Sequence, residues 1–505
     1  MSTADLPLPT AAGTARLRAA LAADAFTADG LLDLLGAPAY AALARGETVP
    51  AARAIHGDDG AAAVLVRLFL LQRPVPYESA RAVLPADELL GDGWLVREGP
   101  SVRATVDVRP YPGPDGEDWW VVSDPGFGVG GAGGAGGKER DVVLGVGGAS
   151  MTLAQLTVRQ PVGRVLDLGT GSGIQALHAA QHAERVVATD VNPRALRMAA
   201  LTLALSGAAE PELRQGSLFE PVAREAGFDL IVANPPFVIS PRRDDTDALT
   251  YRDGGMDGDE LCRTLVEQSA ARLNDGGWCQ LLANWQHVEG EDWRERLASW
   301  VPAGCDAWIV QRERQDVTEY TELWLRDAGA HRGDPDAYER LYGEWLAEFE
   351  RRRTRGVGFG WITLRKTGTD RPAITVEEWP HAVEQPLGET VRRHFALADF
   401  LREHDDQALL AARYTLADGV VQEQVGAPGA EDPEHVVLRQ RHGMMRAHSV
   451  DTVGAALAGS CDGTLPAGVI VDAIAQLLEA DPGQVRAGVP EVLRTLVGDG
   501  FLLPV

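Results

Sequence analysis

The fold is decided by the stretch Val165-Leu166-Asp167-Leu168-Gly169-Thr170-Gly171-Ser172-Gly173. An apolar run ends here in glycines, which take positive φ and let the backbone come close to a ligand. A second apolar run, Phe228-Asp229-Leu230-Ile231-Val232-Ala233, ends in Asn234-Pro235-Pro236-Phe237. Short apolar runs bounded by turn residues are typical of buried strands in a parallel sheet. The two runs therefore predict an α/β protein whose ligands bind where neighbouring strands end.

Strands and helices alternate around these two runs, as expected for a doubly wound parallel sheet with helices on both faces. The predicted strands are Arg164–Leu168, Arg185–Thr189, Glu212–Gly216, Phe228–Ala233, Trp278–Ala283, Asp306–Arg312 and Gly358–Arg365. The predicted helices are Gly173–Ala183, Pro193–Ser206 and Asp257–Leu273.

A chain of 505 residues is too long for a single core, so several domains are expected. We predict an N-terminal domain of helices and a β-hairpin at 1–124, a Gly-rich loop at 125–139, the sheet domain at 140–368 and a C-terminal domain at 370–505. Pro125 to Gly137 is almost entirely Gly, Ala and Val, a composition that buries no core. This loop is either a lid over the substrate or a tolerated surface insertion.

Both terminal domains are predicted to be winged-helix-like. Helical spacing from about 14 to 90 is followed by strands at Trp94–Val96 and Val102–Val108, with the turn Gly99-Pro100 between them. The octamer Leu89–Val96 resembles Leu496–Leu503, and in each a helix stops at a glycine and turns directly into a strand.

Charge and cysteine usage limit the partners and the compartment. The formal net charge is −26, which opposes sequence-indifferent binding of nucleic acid. The four cysteines are widely spaced and predict reduced core thiols of a cytoplasmic protein: Cys262, Cys279, Cys305 and Cys461.

The start Met1-Ser2-Thr3-Ala4-Asp5 lacks the basic region of a signal peptide. The apolar run Val64–Leu71 is short and carries Arg67, so we expect a buried helix rather than a membrane span. The Ala-, Gly- and Arg-rich composition suggests a bacterial protein.

Three details of the glycine turn favour S-adenosylmethionine over a dinucleotide. Ile174 stands where the dinucleotide fingerprint needs a glycine. Asp167 precedes the turn, where a carboxylate can attract the ammonium group of the cofactor directly or through water. Asp190 ends the next strand, where a carboxylate takes two ribose hydroxyls. A Rossmann domain of another kind is the alternative.

The second strand end carries groups that can hold a planar nitrogen. The Asn234 side-chain carbonyl and the Pro235 backbone carbonyl can accept its N–H hydrogens, while the ring of Phe237 covers its π face. With the glycine turn, Asn234-Pro235-Pro236-Phe237 predicts an N-methyltransferase. A strand merely stopped by two prolines is the alternative.

Residues of about 140–366 resemble the class I S-adenosylmethionine-dependent methyltransferases, and Asn-Pro-Pro-Phe resembles their amino-group N-methyltransferase branch. The resemblance implies a cofactor site of Asp167, Gly169, Thr170, Gly171, Asp190, Ser217, Leu218 and Asn234. Within it, Asp190 binds ribose and Ser217-Leu218 flank adenine. Many relatives have an Asp where Ser217 stands, which weakens that one assignment.

The stretch Tyr251-Arg252-Asp253-Gly254-Gly255-Met256-Asp257-Gly258 resembles the release-factor glutamine methyltransferases, in which such a turn follows Asn-Pro-Pro-Tyr and supports the substrate side. Here the ring is Phe237, without a hydroxyl. Those enzymes are also shorter and lack a domain like 370–505, which leaves the substrate open.

Other charged groups are candidates for partner or metal sites. Arg351–Arg355 and Pro241-Arg242-Arg243 can guide RNA phosphates or an acidic protein surface, or they are solvated faces. Residues 371–505 hold ten arginines and no lysines against twenty acidic residues, a net charge of −10 that favours protein contact. His178 and His182 lack a third ligand, so we expect a solvated helix face and no metal.

The leading interpretation is an enzyme that methylates a planar amide or amine nitrogen, such as a glutamine side chain, of a protein or peptide. An exocyclic amine of RNA, or less so of DNA, is the first alternative acceptor. Small-molecule N-methylation and a cofactor-binding scaffold without turnover are weaker alternatives. No membrane partner is expected.

Overall fold

The computed structural model describes residues 6–8, 10–125, 141–241, 254–427 and 435–505. The chain divides into two compact units. The first comprises Met1–Ala154 and Gln160–Pro380, and the second comprises Gln155–Arg159 and His381–Val505. The predicted Gly-rich loop after Pro125, Arg242, Arg243 and the stretch Tyr251-Arg252-Asp253 lie outside the described residues. The predicted domain boundaries remain predictions.

The first unit begins with short helices. These are α1 (Ala11–Ala23), α2 (Ala28–Leu35), α3 (Ala37–Ala44), α4 (Val49–Ala54), α5 (Ala61–Leu65), α6 (Tyr77–Val83) and α7 (Ala86–Gly91). The apolar run Val64–Leu71 forms the end of α5 and a π-helical turn at Val66–Leu70, and its apolar side chains are buried. The prediction of a buried helix is confirmed. No helix in the described ranges is long and apolar enough to cross a membrane.

Five short strands follow or interleave with these helices: β1 (Val75–Pro76), β2 (Leu95–Glu98), β3 (Ser101–Ala104), β4 (Asp107–Pro112) and β5 (Asp118–Ser123). They form a β1-β3-β2 sheet and a separate β4-β5 ribbon. The prediction of one strand over Val102–Val108 is therefore wrong. Thr105 interrupts it, because its N–H donates to the Trp94 carbonyl at 3.0 Å and its hydroxyl to the Gly93 carbonyl at 2.6 Å.

The N-terminal part shares its core with helix α10 (Pro193–Ser206) of the sheet layer. Ala195, Met198, Leu201 and Leu205 of α10 belong to the same buried cluster as the N-terminal helices. The hydroxyls of Thr202 and Ser206 accept from backbone N–H groups of β5, each at 3.0 Å. One face of α10 therefore packs against the N-terminal helices and β5 and is not exposed to solvent.

The central sheet is the predicted α/β doubly wound sheet. Its strands are β6 (Val162–Leu168), β7 (Ala183–Asp190), β8 (Glu212–Gln215), β9 (Phe228–Ala233), β10 (Leu273–Val288), β11 (Cys305–Gln315), β12 (Thr354–Lys366) and β13 (Ile374–Glu378). Their order is β13-β11-β12-β10-β9-β6-β7-β8. Strand β12 runs antiparallel to both neighbours, and the other pairs are parallel, so the sheet is mixed and the expectation of a parallel sheet is wrong at β12. The sequence does not predict β13.

Helices precede or connect the strands of this sheet. They are α8 (Gly148–Leu156), α9 (Ile174–Ala179), α10, α11 (Glu260–Ser269), α12 (Trp293–Ala298), α13 (Val317–Asp327) and α14 (Pro335–Arg351). Helix α10 has the predicted bounds because its ends are encoded locally. The Asn192 side chain accepts from the Arg194 N–H, and Gly207 takes φ 76° after the last turn. Helices α9 and α11 are shorter than predicted.

The register brings three strand ends to one level. Leu168 of β6 pairs with Thr189 of β7 and with Ala233 of β9. The next residues along the chain are Gly169, Asp190 and Asn234. Neighbouring strands lie about 4.8 Å apart, so these residues begin side by side. Because β7 and β9 flank β6 on opposite sides, this edge is the switch point where doubly wound sheets bind ligands.

The second unit contains helices α15 (Gly388–Glu403), α16 (Asp406–Ala411), α17 (Thr452–Ser460), α18 (Ala467–Leu477) and α19 (Pro482–Gly498). Its strands are β14 (Arg413–Leu416), β15 (Val420–Val425), β16 (His435–Gln440), β17 (Ala447–Val450), β18 (Asp462–Pro466) and β19 (Leu502–Pro504), in sheets ordered β18-β14-β19 and β15-β16-β17.

The repeated octamer has the same local geometry at both positions. Gly93 and Gly500 take φ of 83° and 76°, and the following N–H, of Trp94 or Phe501, donates to the carbonyl five residues back. The expected helix stop and direct turn into a strand are confirmed. The winged-helix assignment of the two terminal regions stays a prediction.

Candidate active site

A cavity of about 470 Å³ lies at the edge of the sheet where β6, β7 and β9 end. Small-molecule sites typically have volumes of roughly 300–1,000 Å³. The predicted site residues that line the cavity are Gly169, Thr170, Gly171, Asp190, Ser217, Leu218, Asn234, Pro235 and Pro236. Asp167 and Phe237 are not among the lining residues. The structure thus brings most of the predicted site together in one cavity.

The glycine turn leaves room for a ligand. Gly169 and Gly171 take φ of 76° and 55°, a region that favours glycine. The N–H groups of Gly169 and Thr170 both donate to the Thr189 carbonyl at 2.9 Å, which fixes the turn on β7. A Cβ added at either glycine would meet no heavy atom within 4 Å. Because both residues line the cavity, those side chains would occupy ligand space.

Asp190 closes the same turn from the end of β7. Its Oδ2 accepts from the Gly171 N–H at 3.0 Å and its Oδ1 accepts from the Asn192 N–H at 2.9 Å. Burial raises the pKa of this carboxyl, and the N–H groups oppose that rise. Each carboxylate oxygen has a further lone pair, so two hydroxyls of a ligand can donate to it.

Asp167 lies behind the glycine turn rather than in the cavity wall. Its Oδ2 accepts from the Thr170 hydroxyl at 2.6 Å and from the Ala176 N–H at 3.0 Å, so it ties the turn to α9. Burial raises the pKa of Asp167 to about 7, against the lowering effect of these two hydrogen bonds. Its predicted attraction to the ammonium group of the cofactor remains a prediction.

Ser217 and Leu218 line the side of the cavity next to β8. Ser217 is exposed, and Leu218 takes φ 47° and packs against the apolar core of the sheet. The preceding Gly216 N–H donates to the Asp190 carbonyl at 3.0 Å. The pair therefore lies beside the carboxylate predicted to bind ribose, where the prediction places adenine.

Asn234 lies in the cavity wall, half-buried, at the end of β9. Its Nδ2 donates to the Ser150 hydroxyl at 3.3 Å. Within the part of the chain that the structure describes, its Oδ1 accepts no hydrogen bond. Phe237 is half-buried and packs against the apolar core of the sheet, so its predicted stacking role stays a prediction.

A segment that the sequence does not reveal, 142–150, forms another part of the wall. The Val143 N–H donates to Asp124 Oδ2 at 2.8 Å, and Asn192 Nδ2 donates to the Asp141 carbonyl at 3.0 Å. Gln175 Nε2 donates to the Ser150 carbonyl at 2.8 Å. The segment consists mainly of small and apolar residues without a motif. Its one signal in the sequence is the hydroxyl of Ser150 near the start of α8.

The predicted Gly-Gly-x-Asp-Gly turn also reaches the cavity, through Gly254 and Gly255. A Cβ on Gly254 would lie 2.8 Å from the Pro236 carbonyl oxygen, so the turn packs directly on the Asn-Pro-Pro segment. Asp259, buried just after the turn, accepts from both Nη atoms of Arg296 at 2.6 and 2.7 Å. It also accepts from the Gln286 N–H of β10 at 2.8 Å, and these contacts anchor the turn.

The arginines from the end of α14 to the start of β12 are balanced by nearby carboxylates. The ion pairs are Arg351–Glu348 at 2.7 Å, Arg352–Glu348 at 2.5 Å, Arg352–Asp257 at 3.4 Å, Arg353–Glu289 at 3.8 Å and Arg355–Glu289 at 2.9 Å. The positive charges of Arg351–Arg355 are therefore largely offset by these ion pairs, and the segment does not form a concentrated positive surface.

His178 does not lie on a solvated face, so that expectation is wrong. It is buried, its Nε2 lies 3.0 Å from the Tyr111 hydroxyl, and its ring packs edge-on against Trp119. The N-terminal β4-β5 ribbon covers this part of α9. His182 Nδ1 lies 2.9 Å from the Gln160 carbonyl. Across the described ranges, no group of three or more His, Cys, Asp or Glu residues is arranged to hold a metal ion.

The residues present fit S-adenosylmethionine. The side-chain-free cradle at Gly169 and Gly171 can accept the methionine end, and the Asp190 carboxylate can accept two ribose hydroxyls. Ser217 and Leu218 lie where they can flank the base.

Residues 146–294 match the family model of the methyltransferase small domain. Residues 23–105 and 392–504 match models described as domains of unknown function, DUF7059 and DUF7782. With the sheet order and the glycine turn, the match shows that the central sheet domain is a class I S-adenosylmethionine-dependent methyltransferase domain, with S-adenosylmethionine as its cofactor.

Individual relatives match a part of this chain. A release factor glutamine methyltransferase of Geobacter sulfurreducens is 37% identical over 124 residues, 23% of this chain and 43% of that protein. A ribosomal RNA small subunit methyltransferase C of Escherichia coli (strain K12 / DH10B) is 30% identical over 139 residues, 27% of this chain and 35% of that protein. The chain thus spans less than half the length of these curated relatives.

Among solved structures, a T. thermophilus 16S rRNA N2 methyltransferase in complex with AdoMet and guanosine is 21% identical. The match covers 51% of this chain and 65% of that chain, with a TM-score of 0.26.

Proposed function

We propose that this chain is an S-adenosylmethionine-dependent N-methyltransferase that acts on a planar amide or amine nitrogen of a protein or peptide, with a glutamine side chain as the preferred acceptor. The observation that carries the proposal is the position of Asn234. It lies in the cavity wall at the strand end next to the glycine turn, with an Oδ1 that accepts no hydrogen bond from the described residues.

The chain's own residues align and polarise the acceptor. S-adenosylmethionine supplies an activated methyl group when bound. An amide nitrogen is a poor nucleophile because its lone pair is delocalised. The Asn234 and Pro235 carbonyls accept its N–H hydrogens and so favour the rehybridised nitrogen. The nitrogen–methyl bond forms as the sulfur–methyl bond breaks, and one N–H proton then leaves to water. Holding the two reactants in line lowers the barrier further, so Asn234 acts as a positioning acceptor rather than a base.

The cavity wall supports a neutral acceptor group. Among its described lining residues, Asp190 is the single charged side chain, and it belongs to the cofactor side. A neutral carboxamide needs only hydrogen-bond partners, whereas a nucleotide brings a phosphate that the described wall offers no cation to bind. This favours an amide acceptor.

The charges elsewhere favour a protein partner. The arginines at 351–355 are paired with acidic residues, and residues 371–505 carry a net charge of −10. Such a surface repels a phosphate backbone. The Geobacter sulfurreducens relative is named a release factor glutamine methyltransferase, and we carry glutamine over to this chain as part of the proposal.

An exocyclic amine of RNA is the second candidate acceptor. It is supported by the relative named a ribosomal RNA methyltransferase. Arg351, Arg353 and Arg355 also keep 63–65% of their side chains exposed in spite of their ion pairs, so they remain accessible to phosphates.

A labelling experiment separates these acceptors. The purified chain is incubated with methyl-labelled S-adenosylmethionine and, in separate reactions, a bacterial release factor, 16S rRNA and fractionated bacterial lysate. Label on a glutamine of the release factor or of a lysate protein supports the proposal, whereas label in RNA replaces it by the second candidate. Label confined to small molecules contradicts both.

Asn234→Ala, for which a strongly reduced kcat is expected, serves as the matched control in every reaction. Absence of S-adenosylmethionine binding by the wild-type chain in calorimetry would remove the premise of the proposal.

A further inference from the structure

The acceptor side of the cavity contains a side-chain contact between Asn234 and a residue outside the Asn-Pro-Pro-Phe motif. Asn234 Nδ2 donates to the hydroxyl of Ser150, and both residues line the cavity. Ser150 belongs to α8, a helix that precedes the glycine turn in the sequence and shares no motif with Asn-Pro-Pro-Phe. The distance of 3.3 Å is at the long end of the normal range for a hydrogen bond.

A carboxamide must be oriented before it can accept a hydrogen bond from an amine. One side of the carboxamide is a carbonyl oxygen and the other is an NH2 group with two donors. A rotation of 180° about the Cβ–Cγ bond therefore puts donors where the acceptor was. A donor facing the acceptor nitrogen would compete for the lone pair that forms the new bond. The reaction therefore needs Oδ1, and not Nδ2, toward the substrate.

The sequence around Asn234 removes the usual local partner of its oxygen. An Asn side chain commonly accepts a hydrogen bond from the N–H two residues further on. That residue is Pro236, which has no N–H, and Pro235 has none either. The two prolines thus leave Oδ1 available, and they also leave its direction undetermined. A partner for Nδ2 from elsewhere in the chain is required to fix it.

Ser150 is itself held in place. Its carbonyl accepts from Nε2 of the buried Gln175 on α9 at 2.8 Å. The segment leading to α8 is attached through the Val143 N–H to Asp124, which in turn forms a buried ion pair with Arg194. A hydroxyl on an anchored helix can orient a neighbouring amide, whereas one on a loose loop cannot.

We propose that Ser150 is the positioning residue that binds Nδ2 of Asn234 and thereby turns Oδ1 toward the acceptor nitrogen. This inference rests on the proposed function. It adds a determinant of the reaction that lies outside the Asn-Pro-Pro-Phe motif and the glycine turn.

The contact is tested directly by NMR, without any substrate. The chain contains four asparagines, Asn192, Asn234, Asn274 and Asn284, so protein labelled with ¹⁵N-asparagine gives four side-chain amide pairs. The pair of Asn234 is assigned by its loss in Asn234→Asp. Ser150→Ala should shift this pair and speed its exchange with water. Thr152→Ala should leave it unchanged, because that hydroxyl lies on the same helix but donates to the Gly148 carbonyl.

The consequence is tested by kinetics with S-adenosylmethionine and a bacterial release factor. Ser150→Ala should lower kcat about tenfold with little change in cofactor affinity, because alignment and not binding is lost. Ser150→Thr retains a hydroxyl and should recover most of kcat. In an Asn234→Asp background both side-chain oxygens accept, so Ser150→Ala should change the remaining kcat by less than about twofold.

The possible failures are distinguishable. Unchanged Asn234 signals in Ser150→Ala, or an equal loss of kcat from Ser150→Ala in the wild-type and Asn234→Asp backgrounds, would overturn the positioning role while methyl transfer by the wild type stands. A wild-type chain that labels no protein would overturn the proposed function itself, whatever the NMR result.

Discussion

One end of the cavity is built from a short continuous stretch and the next strand, whereas the other end is assembled from segments far apart in the sequence. The donor end consists of Gly169–Gly171 and Asp190. The Gly171 N–H donates to Asp190 Oδ2, and the N–H groups of Gly169 and Thr170 donate to the Thr189 carbonyl. The acceptor end consists of Asn234, Ser150 and Gly254, from β9, α8 and the turn before α11. Under the proposed function, local sequence encodes cofactor binding, while acceptor choice depends on how distant segments pack. Substitutions at the two ends should have separable effects.

The largest expected effect is at the acceptor end. Asn234→Ala should lower kcat on the order of a hundredfold, because a preorganised hydrogen-bonding group is lost from the reacting centre. Cofactor affinity should stay close to that of the wild type. Steady-state kinetics and calorimetry check the two quantities. Asn274→Ala is the control, since Asn274 bonds Asp229 at the opposite edge of the sheet. An Asn234→Ala enzyme with full kcat would show that the nitrogen-holding role is wrong.

The next effect is at the donor end. Asp190→Ala should weaken S-adenosylmethionine binding at least tenfold, about 1.4 kcal/mol, because two hydroxyl acceptors disappear and the Gly171 N–H loses its partner. Calorimetry measures the change. Asp275→Ala removes an exposed carboxylate near the start of β10 and should have no effect. If both variants bind the cofactor equally well, the ribose assignment fails.

A pH dependence should also be confined to the donor end. The pKa of Asp167 is raised to about 7, mainly by burial. A positively charged ammonium group favours the ionised carboxyl, so cofactor affinity should fall as the pH is lowered from 8 to 6, by up to about tenfold. By the same linkage, the protonated carboxyl stabilises the ligand-free fold below pH of about 4, and this contribution is lost as the pH rises through 7.

Calorimetry at several pH values checks this, with Asp167→Asn as the control. That variant keeps an oxygen for Thr170 or Ala176 but has no titrating group at this position, so its affinity should fall less than that of the wild type over the same range. An equally steep profile in the variant would assign the pH dependence to another group.

The donor end and most of the sheet were predictable because their signals are local. Helix α10 starts at an Asn-Pro pair and ends before a glycine, and both are used as caps in the structure. Strand β9 has the predicted bounds because Gly227 precedes it and two prolines follow it. At such positions a single Asn, Pro or Gly determines the local backbone conformation. The end of the helix or strand can therefore be predicted from one sequence.

The acceptor end was only partly predictable because its contacts join distant segments. Nothing near Ser150 indicates that its hydroxyl lies against Asn234. The break in the predicted strand Val102–Val108 likewise depends on Thr105 bonding back to Gly93 and Trp94, which a strand pattern does not reveal. Periodicity identifies elements, but it does not identify which polar side chain leaves its own element to bond another.

The smallest expected effect is that of Gly254→Ala, which alters the packing of the turn at the acceptor end. A Cβ at Gly254 would lie 2.8 Å from the Pro236 carbonyl oxygen and 2.9 Å from Leu261 Cδ2. The leucine side chain can move, whereas the Pro236 backbone is fixed beside the acceptor, so Gly254→Ala should displace the turn slightly. We expect KM for the acceptor to rise about fivefold, close to the lower cost of overpacking at about 1 kcal/mol.

Cofactor affinity should be unchanged in Gly254→Ala, because the three heavy atoms nearest to this carbon belong to Pro236 and Leu261, outside the donor end. Gly343→Ala is the matched control, since a Cβ in the middle of α14 would meet nothing within 4 Å. A rise in KM that appears in both variants would point to a general loss of stability. A change in cofactor affinity in Gly254→Ala alone would mean that the two ends of the cavity are coupled through the turn, and that they cannot be altered separately.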